Sequence, residues 1–436
     1  MLTLIKNGYV IDPESNREGY YDILIEGDRI KRVEASLSDK IPRYQELYDE
    51  FTVIDAKGKY VMPGFIDLHV HLREPGYEYK ETIKTGAMAA AAGGYTTICP
   101  MPNTLPVTDS EDRISYIKDK SGKEAVVNIL PIGSITLGQK GEDLADIPAM
   151  AAAGAVAFSE DGKSVMDSAL YAKGMELAAK AGRPIFAHCE DKSLAGQGVM
   201  NAGKKAEALN LQGISNAVED IITARDILLA KEIGVRLHIC HCSTADSVKM
   251  IGLAKEEGLP VTGEVCPHHF TLSDEDIPSD DGNYKMNPPL RSKKDVQAIK
   301  QAIKNDIIDV IATDHAPHSK DEKAGGMKEA PFGIVGLETA FALVITELVK
   351  PKIITLKQMV EKMSLNPAKI LGIQRGCIGE GWVADLVIAD PEVVYTIDKN
   401  KFYSLGKNTP FDQKKVIGRV EYTFVAGKLV YQNELN

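Results

Sequence analysis

The sequence lacks the features that mark membrane, secreted and nucleic-acid-binding proteins. No apolar run approaches the roughly 18 residues of a membrane-spanning helix, and Met1–Lys6 is unlike the start of a signal peptide. No basic run is present, and 62 Asp and Glu against 51 Lys and Arg give a net charge of −11. We therefore expect a cytoplasmic protein with no membrane and no nucleic-acid partner.

Cysteine is scarce, with six residues in 436, and most of them lie inside apolar, strand-like runs. A free thiol in such a run behaves as a small hydrophobic side chain. Cys240 and Cys242 flank His241, but on a strand their side chains point away from that histidine. We therefore predict that these two thiols are not metal ligands.

Both ends of the chain alternate short strands with turns, and neither end has a cluster of catalytic residue types. Two short β segments at opposite ends of a chain pair most simply into one sheet. We predict a small discontinuous β domain made of residues 1–62 and 373–436. Its predicted strands are Leu2–Val10, Tyr21–Glu26, Arg29–Glu34, Phe51–Asp55, Ala384–Ile388, Val393–Ile397, Lys415–Val420 and Tyr422–Tyr431.

Residues 63–372 alternate strands with helical runs, which is typical of an α/β fold with a parallel sheet. Eight strands with eight crossover helices is the count of a closed (β/α)8 TIM-type barrel, and about 310 residues is a usual span for it. The predicted strands begin with Phe65–Arg73 and continue with Tyr95–Cys99, Ala125–Leu130, Ala155–Phe158, Pro184–Ala187, Arg236–Cys240, Val261–Val265 and Val310–Thr313.

The first barrel strand ends in a His-x-His pair, His69 and His71. Residues two apart on a strand point to the same face, so these imidazoles project side by side. Two neutral imidazoles one pleat apart can share a divalent cation, most often Zn²⁺. The pair alone does not decide between a metal site and two structural histidines.

The other strand ends add to this pair, and such barrels build their active sites at the C-terminal ends of the strands. Four histidines and two aspartates are predicted at this level, enough for two metal ions with a shared carboxylate and a shared water. The residues at these ends are His69, His71, Asn103, Asp161, His188, His241 and Asp314.

Four separated motifs resemble those of the dihydroorotases of the long bacterial type (class I), in the amidohydrolase superfamily. These motifs are His69–Gly76, Met101–Thr104, Asn287–Arg291 and Thr313–His318. The resemblance covers nearly the whole chain, including the divided β domain. It implies zinc-dependent, reversible hydrolysis of (S)-dihydroorotate to N-carbamoyl-L-aspartate, a cyclic amide hydrolysis in de novo pyrimidine biosynthesis.

The resemblance also implies the roles of individual residues. Two Zn²⁺ per subunit would be bound, one by His69, His71 and Asp314, and the other by His188 and His241, with Asp161 bridging them. Asp314 would be the catalytic base, since a carboxylate must pass the proton of the attacking water to the leaving nitrogen. The implied substrate-binding residues are His71, Arg73, Asn103, Asn287 and His318, with the backbone of Phe332 and Gly333.

Several neighbouring polar residues are open to more than one interpretation. Glu160 competes with Asp161 for the bridging role, but only one of two consecutive residues can point inward. We expect His238 to be structural and His315 to support Asp314. The segment 319–331 is either a solvated loop or a lid over the site.

Two alternatives to a dihydroorotase remain open. An allantoinase or dihydropyrimidinase would share the fold and metals, but those enzymes typically bridge the ions with a modified lysine from strand four, where this chain has Asp161. A catalytically inactive homologue that only scaffolds aspartate transcarbamoylase would have lost metal ligands, whereas this chain keeps all six. We also expect a homodimer, with association with aspartate transcarbamoylase left open.

Overall fold

The computed structural model of the chain describes residues 2–48 and 50–433, and its first part is a set of β-strands. Central strand β1 carries buried apolar residues on both faces, including Leu4, Ile5 and Val10. A short helix, α1 (Ile41–Leu47), was not predicted; its Ile41 and Tyr44 pack against Leu2 and Leu4. The strands are β1 (Leu2–Asp12), β2 (Arg17–Glu26), β3 (Arg29–Glu34), β4 (Phe51–Asp55) and β5 (Tyr60–Pro63).

The middle of the chain forms the predicted parallel barrel, and its third strand is split. Pro131 lies between the two halves and has no N–H to donate to a ladder, so β8 pairs with β7 and β9 with β10. The ring closes where Val70 pairs with His315. The strands are β6 (Phe65–Val70), β7 (Tyr95–Pro100), β8 (Asn128–Ile129), β9 (Gly133–Ser134), β10 (Phe158–Ser159), β11 (Ile185–Ala187), the outlying pair β12 (Met200–Asn201) and β13 (Gly213–Ile214), then β14 (Leu237–Ile239), β15 (Val261–Val265) and β16 (Val310–Ile311).

The longer helices pack on the outside of the barrel, and each buries one apolar face. Within α11, for example, Val296 and Ile299 are buried, and the Ser292 side chain caps the first turn by accepting from the Asp295 N–H. The helices after α1 are α2 (Ile83–Ala92), α3 (Glu111–Glu124), α4 (Ile147–Ala153), α5 (Ser168–Lys180), α6 (Lys192–Ala195), α7 (Lys204–Leu209), α8 (Ala217–Ile233), α9 (Ala245–Glu256), α10 (Pro267–Thr271), α11 (Lys293–Lys304), α12 (Lys320–Lys323), α13 (Gly326–Glu329), α14 (Ala340–Val344), α15 (Leu356–Val360) and α16 (Asn366–Leu371). None of the described helices is long and apolar enough to cross a membrane.

The last three strands return to the N-terminal sheet and confirm that both chain ends build one β domain. They are β17 (Leu386–Thr396), β18 (Lys415–Val425) and β19 (Lys428–Gln432). Strand β17 pairs antiparallel with β5, giving the order β19-β18-β17-β5-β1-β2-β3, with β4 beside β1. The two strands predicted near residue 390 form the single strand β17. Its pairing with β18 shifts register between Asp390 and Val394 and then continues. The domain boundaries themselves stay predictions.

Candidate active site

The six predicted metal ligands all lie at the C-terminal end of the barrel. Each follows or ends a parallel strand, and each is 6% exposed or less. Residues far apart in the chain meet here because the carboxyl ends of all strands open on one face. The residues are His69 and His71 on β6 and just beyond it, Asp161 after β10, His188 after β11, His241 after β14 and Asp314 after β16.

The first-strand histidines face two carboxylates. His69 Nε2 lies 3.2 Å from Asp161 Oδ1 and 3.6 Å from Asp314 Oδ1. His71 Nε2 lies 3.1 Å from Asp314 Oδ1 and 3.6 Å from Asp161 Oδ2. These two histidines and Asp314 also offer three donor atoms that are mutually within 4.8 Å. Each imidazole therefore faces both carboxylates.

The other two histidines also face Asp161. His188 Nδ1 and His241 Nε2 lie 2.9 Å apart, at 3.5 Å and 3.7 Å from Asp161 Oδ1. Two facing atoms, His69 Nε2 and Asp161 Oδ1, are buried without a hydrogen-bond partner. Buried polar atoms are seldom left unpaired, and imidazole and carboxylate are ligands that transition metals prefer. The residues present are therefore compatible with a metal site centred on Asp161.

Hydrogen bonds on the far side of the His69 and His71 rings fix which nitrogen faces the centre. His69 Nδ1 donates to Glu264 Oε1 and His71 Nδ1 to Asn103 Oδ1, each at 2.9 Å, which directs both Nε2 atoms towards the two carboxylates. Asn103 Nδ2 in turn donates to Asp161 Oδ2 at 3.1 Å. Asn103, predicted to bind substrate, therefore also orients His71 and Asp161.

Glu264 was missed in the sequence analysis, although it is fully buried beside this centre. It also contacts His238 Nε2 at 3.1 Å, and this is the histidine that was expected to be structural. Burial raises the pKa of Glu264, but hydrogen bonds from His238 and His69 outweigh it and lower the pKa to about 2. The sequence feature that could have identified Glu264 is its carboxylate in the otherwise largely buried strand β15.

Glu160 and His315 point away from the centre. The Glu160 carboxylate accepts from the backbone N–H groups of Ile135 and Thr136, which leaves Asp161 as the inward residue. His315 was expected to support Asp314, but its Nε2 lies 3.3 Å from Glu81, and its Nδ1 accepts from the Gly336 N–H. The His315 side chain is therefore bonded to Glu81 and to the Gly336 backbone, in place of the expected contact with Asp314.

Three of the candidate site residues have left-handed backbone conformations. The φ angles are 62° at Arg73, 33° at His241 and 49° at Asp314. Non-glycine residues rarely adopt this region, at a cost of about 1–3 kcal/mol each, and such residues cluster at functional sites. All three residues lie just after barrel strands, where the chain leaves β6, β14 and β16.

A cavity of about 130 Å³ opens above the two carboxylates, and every predicted substrate-binding residue except His318 lines it. Arg73, Asn103, Asn287, Phe332 and Gly333 all contribute to its wall. Pockets for drug-sized molecules are larger, roughly 300–1,000 Å³. The size and the polar wall therefore suit a small, polar substrate.

His318 lies directly behind this wall and contacts Arg73. Its Nε2 is 2.8 Å from the Phe332 carbonyl oxygen and 3.2 Å from Arg73 Nη2, while Arg73 Nε donates to the Pro317 carbonyl at 3.1 Å. Burial and the charges of Arg73 and the nearby lysines lower the pKa of His318, so it is neutral. The Gly333 N–H belongs to the backbone predicted to bind substrate, but it donates to the Lys285 carbonyl at 3.0 Å.

The chain is similar in sequence to dihydroorotases and in structure to a hydantoinase. A family model described as "Dihydro-orotase-like" matches residues 58–247. A dihydroorotase of Caldanaerobacter subterraneus subsp. tengcongensis is 48% identical over 434 residues, covering 99% of this chain and 98% of the relative. One of Pelotomaculum thermopropionicum is 47% identical over 435 residues, with 100% of both chains covered. Among solved structures, the L-hydantoinase (dihydropyrimidinase) of Arthrobacter aurescens has a TM-score of 0.87 at 28% identity, covering 99% of this chain and 96% of that one.

Proposed function

The chain belongs to the dihydroorotase family, and from that premise we propose that it holds two Zn²⁺ ions around Asp161. Its function is that of a dihydroorotase, a hydrolase of pyrimidine biosynthesis. One observation carries the proposal for the site: four imidazoles and the Asp314 carboxylate surround the Asp161 carboxylate at the mouth of the barrel.

The proposed ligands fall into two sets that share Asp161. His69, His71 and Asp314 would bind one ion, and His188 and His241 would bind the other. When bound, the two ions would lower the pKa of an attacking water and stabilise the charge that develops on the substrate's carbonyl oxygen. The remaining work of binding, orienting and proton transfer falls to the side chains of the chain.

We assign the proton transfer to the Asp314 carboxylate. Burial raises the pKa of Asp314, but the hydrogen bond from His71 and the charge of His69 outweigh it, and the group stays ionised. An ionised carboxylate at the cavity wall can accept a proton from the attacking water and release it to the leaving ring nitrogen. The reverse path serves ring closure, because both directions share one transition state.

The structural likeness to hydantoinases leaves a dihydropyrimidinase-type activity as the second candidate. Against it, the identity to dihydroorotases is 48%, whereas the likeness to the hydantoinase is at 28%. Lys163, the lysine nearest to Asp161 in sequence, is exposed, and its Nζ donates to the Gln139 carbonyl. Loss of dihydroorotate absorbance, with and without a chelator, tests the proposal. Turnover of allantoin or dihydrouracil in its place would reject it.

Arg73→Lys should raise the KM for dihydroorotate and for carbamoyl aspartate much more than it changes metal content. The guanidinium offers two parallel donors to a substrate carboxylate, whereas an ammonium is a point charge. We expect a loss of about 1.5–3 kcal/mol in binding, the size of a charge-assisted hydrogen bond. Steady-state kinetics with zinc analysis measure both effects, and equal KM values would remove Arg73 from the substrate site.

Asn408, which the sequence analysis did not select, lies in the β domain and hydrogen-bonds to the backbone of the cavity wall. Its Nδ2 donates to the carbonyl oxygens of Ala316 and Gly333, and its Oδ1 accepts from the His318 N–H, each at 3.0 Å. We infer that this buried amide fixes the positions of the His318 and Gly333 backbones relative to each other. Asn408→Ala should raise KM more than it lowers kcat, and should destabilise the fold, since unpaired buried groups cost about 1–3 kcal/mol each.

Asn400→Ala is the matched control for that change, because Asn400 is exposed in the same connection and its side chain bonds to Asp398. Kinetics and thermal unfolding of both variants should separate them. A KM for Asn408→Ala equal to that of the control would leave Asn408 with a structural role alone.

The assembly and location of the enzyme are also proposals. We propose a cytoplasmic homodimer. Analytical ultracentrifugation of the purified chain tests the dimer, and the same experiment with added aspartate transcarbamoylase tests the association that the sequence left open. A monomer at micromolar concentration would contradict the first proposal.

A further inference from the structure

A second group of metal-ligand side chains lies beside the candidate active site. Cys266 directly follows β15 and begins α10, in which His268 and His269 are the second and third residues. All three are buried, with exposures of 0%, 2% and 2%. One donor atom from each lies within 4.8 Å of the other two. The group has no member in common with the six residues around Asp161.

Two ring nitrogens in this group are buried without a partner, His268 Nε2 and His269 Nδ1. The His269 ring has a fixed tautomer. Its Nε2 contacts the Pro288 carbonyl oxygen at 3.0 Å and must therefore carry the proton. The lone pair of His269 therefore lies on the unpartnered Nδ1. A histidine that donates one nitrogen to a carbonyl and leaves the other free has the arrangement typical of a metal ligand.

We propose that Cys266, His268 and His269 bind a thiophilic divalent cation such as Zn²⁺, at a site separate from the proposed active-site pair. On binding, the Cys266 thiol loses its proton to solvent and the thiolate bonds to the metal. One thiolate and two neutral imidazoles form a donor set that selects zinc over magnesium or calcium. Water would complete the coordination.

The surroundings favour this group over another one that contains a cysteine. His69, Cys240 and Glu264 also offer three donor atoms, but His69 Nδ1 and Glu264 Oε1 already bind each other at 2.9 Å. Burial raises the pKa of the Cys266 thiol, and the charges of Asp314 and Glu264 raise it further, so the thiolate would form only with a bound cation. The Cys266 group is therefore favoured by its two unpartnered ring nitrogens, His268 Nε2 and His269 Nδ1.

The site would support the substrate cavity from behind. Pro288 follows Asn287, which lines the cavity, and its carbonyl is held by the His269 ring. A cation on His269 Nδ1 would fix that ring, and with it the chain at Asn287. The proposed role is structural, because no member of the group lines the cavity.

Cobalt substitution of the full-length protein tests the site. The proposed active-site ligands contain no sulfur, so a sulfur-to-cobalt charge-transfer band reports a cysteine ligand. We expect this band in the wild type, and its loss together with one equivalent of metal in Cys266→Ser. The matched control is Cys240→Ser, which should keep both the band and the metal content.

The remaining outcomes decide against the proposal or separate it from the active site. No band in cobalt-saturated wild type, a band retained in Cys266→Ser, or a band lost only in Cys240→Ser would overturn it. Asp161→Ala should lose metal while keeping the band, so the two proposals fail independently. Should Cys266→Ser not fold, X-ray absorption of the wild-type zinc protein must still show a sulfur scatterer at about 2.3 Å, and its absence would reject the site.

Discussion

Asp314→Asn should abolish turnover of both dihydroorotate and carbamoyl aspartate while the barrel stays folded. The amide has the size of the carboxylate, but it cannot take up the proton that must pass from the attacking water to the ring nitrogen. Its neighbour His71 keeps an acceptor at hydrogen-bond distance, so the local geometry should survive. We expect kcat to fall by about 10²–10⁴-fold or more, the usual worth of a general acid–base group.

Metal loss must be separated from loss of the base, because Asp314 is also a proposed ligand. The variant should therefore be assayed after saturation with zinc, with metal content measured in the same sample. The matched control is Asp167→Asn, where an exposed aspartate caps α5 and asparagine can cap equally well. Asp314→Asn with full metal and a tenth of wild-type kcat would contradict the assignment.

The fold was predictable wherever a local pattern and the tertiary structure agree. Strand β15, Val261–Val265, was predicted with its observed bounds. The third strand was predicted as Ala125–Leu130, but the observed pairing continues to Ser134 around Pro131. Helix α1 was missed because its stability comes from packing on β1, and a local pattern does not show that packing.

The convergence at the barrel mouth was predictable from topology alone. Parallel strands bring their carboxyl ends together, so His69 and Asp314 could be placed at one level despite their distance in the chain. Glu264 and Asn408 were not found, because their partners depend on strand register and on the path of a long connection. The left-handed turns at Arg73 and Asp314 are likewise set by tertiary contacts.

Asp161→Ala should lose at least one zinc and most activity, because its carboxylate is the group shared by the two proposed ligand sets. In many binuclear amidohydrolases a strand-four lysine captures CO₂ and becomes a carbamate that spans both ions. Here Asp161 is already anionic and has two oxygens, and its carboxylate lies within 3.7 Å of nitrogens on all four histidines. Apoprotein and zinc should therefore reassemble an active enzyme without bicarbonate.

Lys163→Ala is the matched test of the carbamate alternative, since Lys163 is the lysine that follows β10. Its side chain is exposed, and its Nζ donates to the Gln139 carbonyl at 3.1 Å. We expect this variant to keep wild-type kcat and metal content when both are measured beside Asp161→Ala. Reactivation that requires bicarbonate, or a collapse of activity in Lys163→Ala, would show that a carbamate bridges the ions and that Asp161 does not.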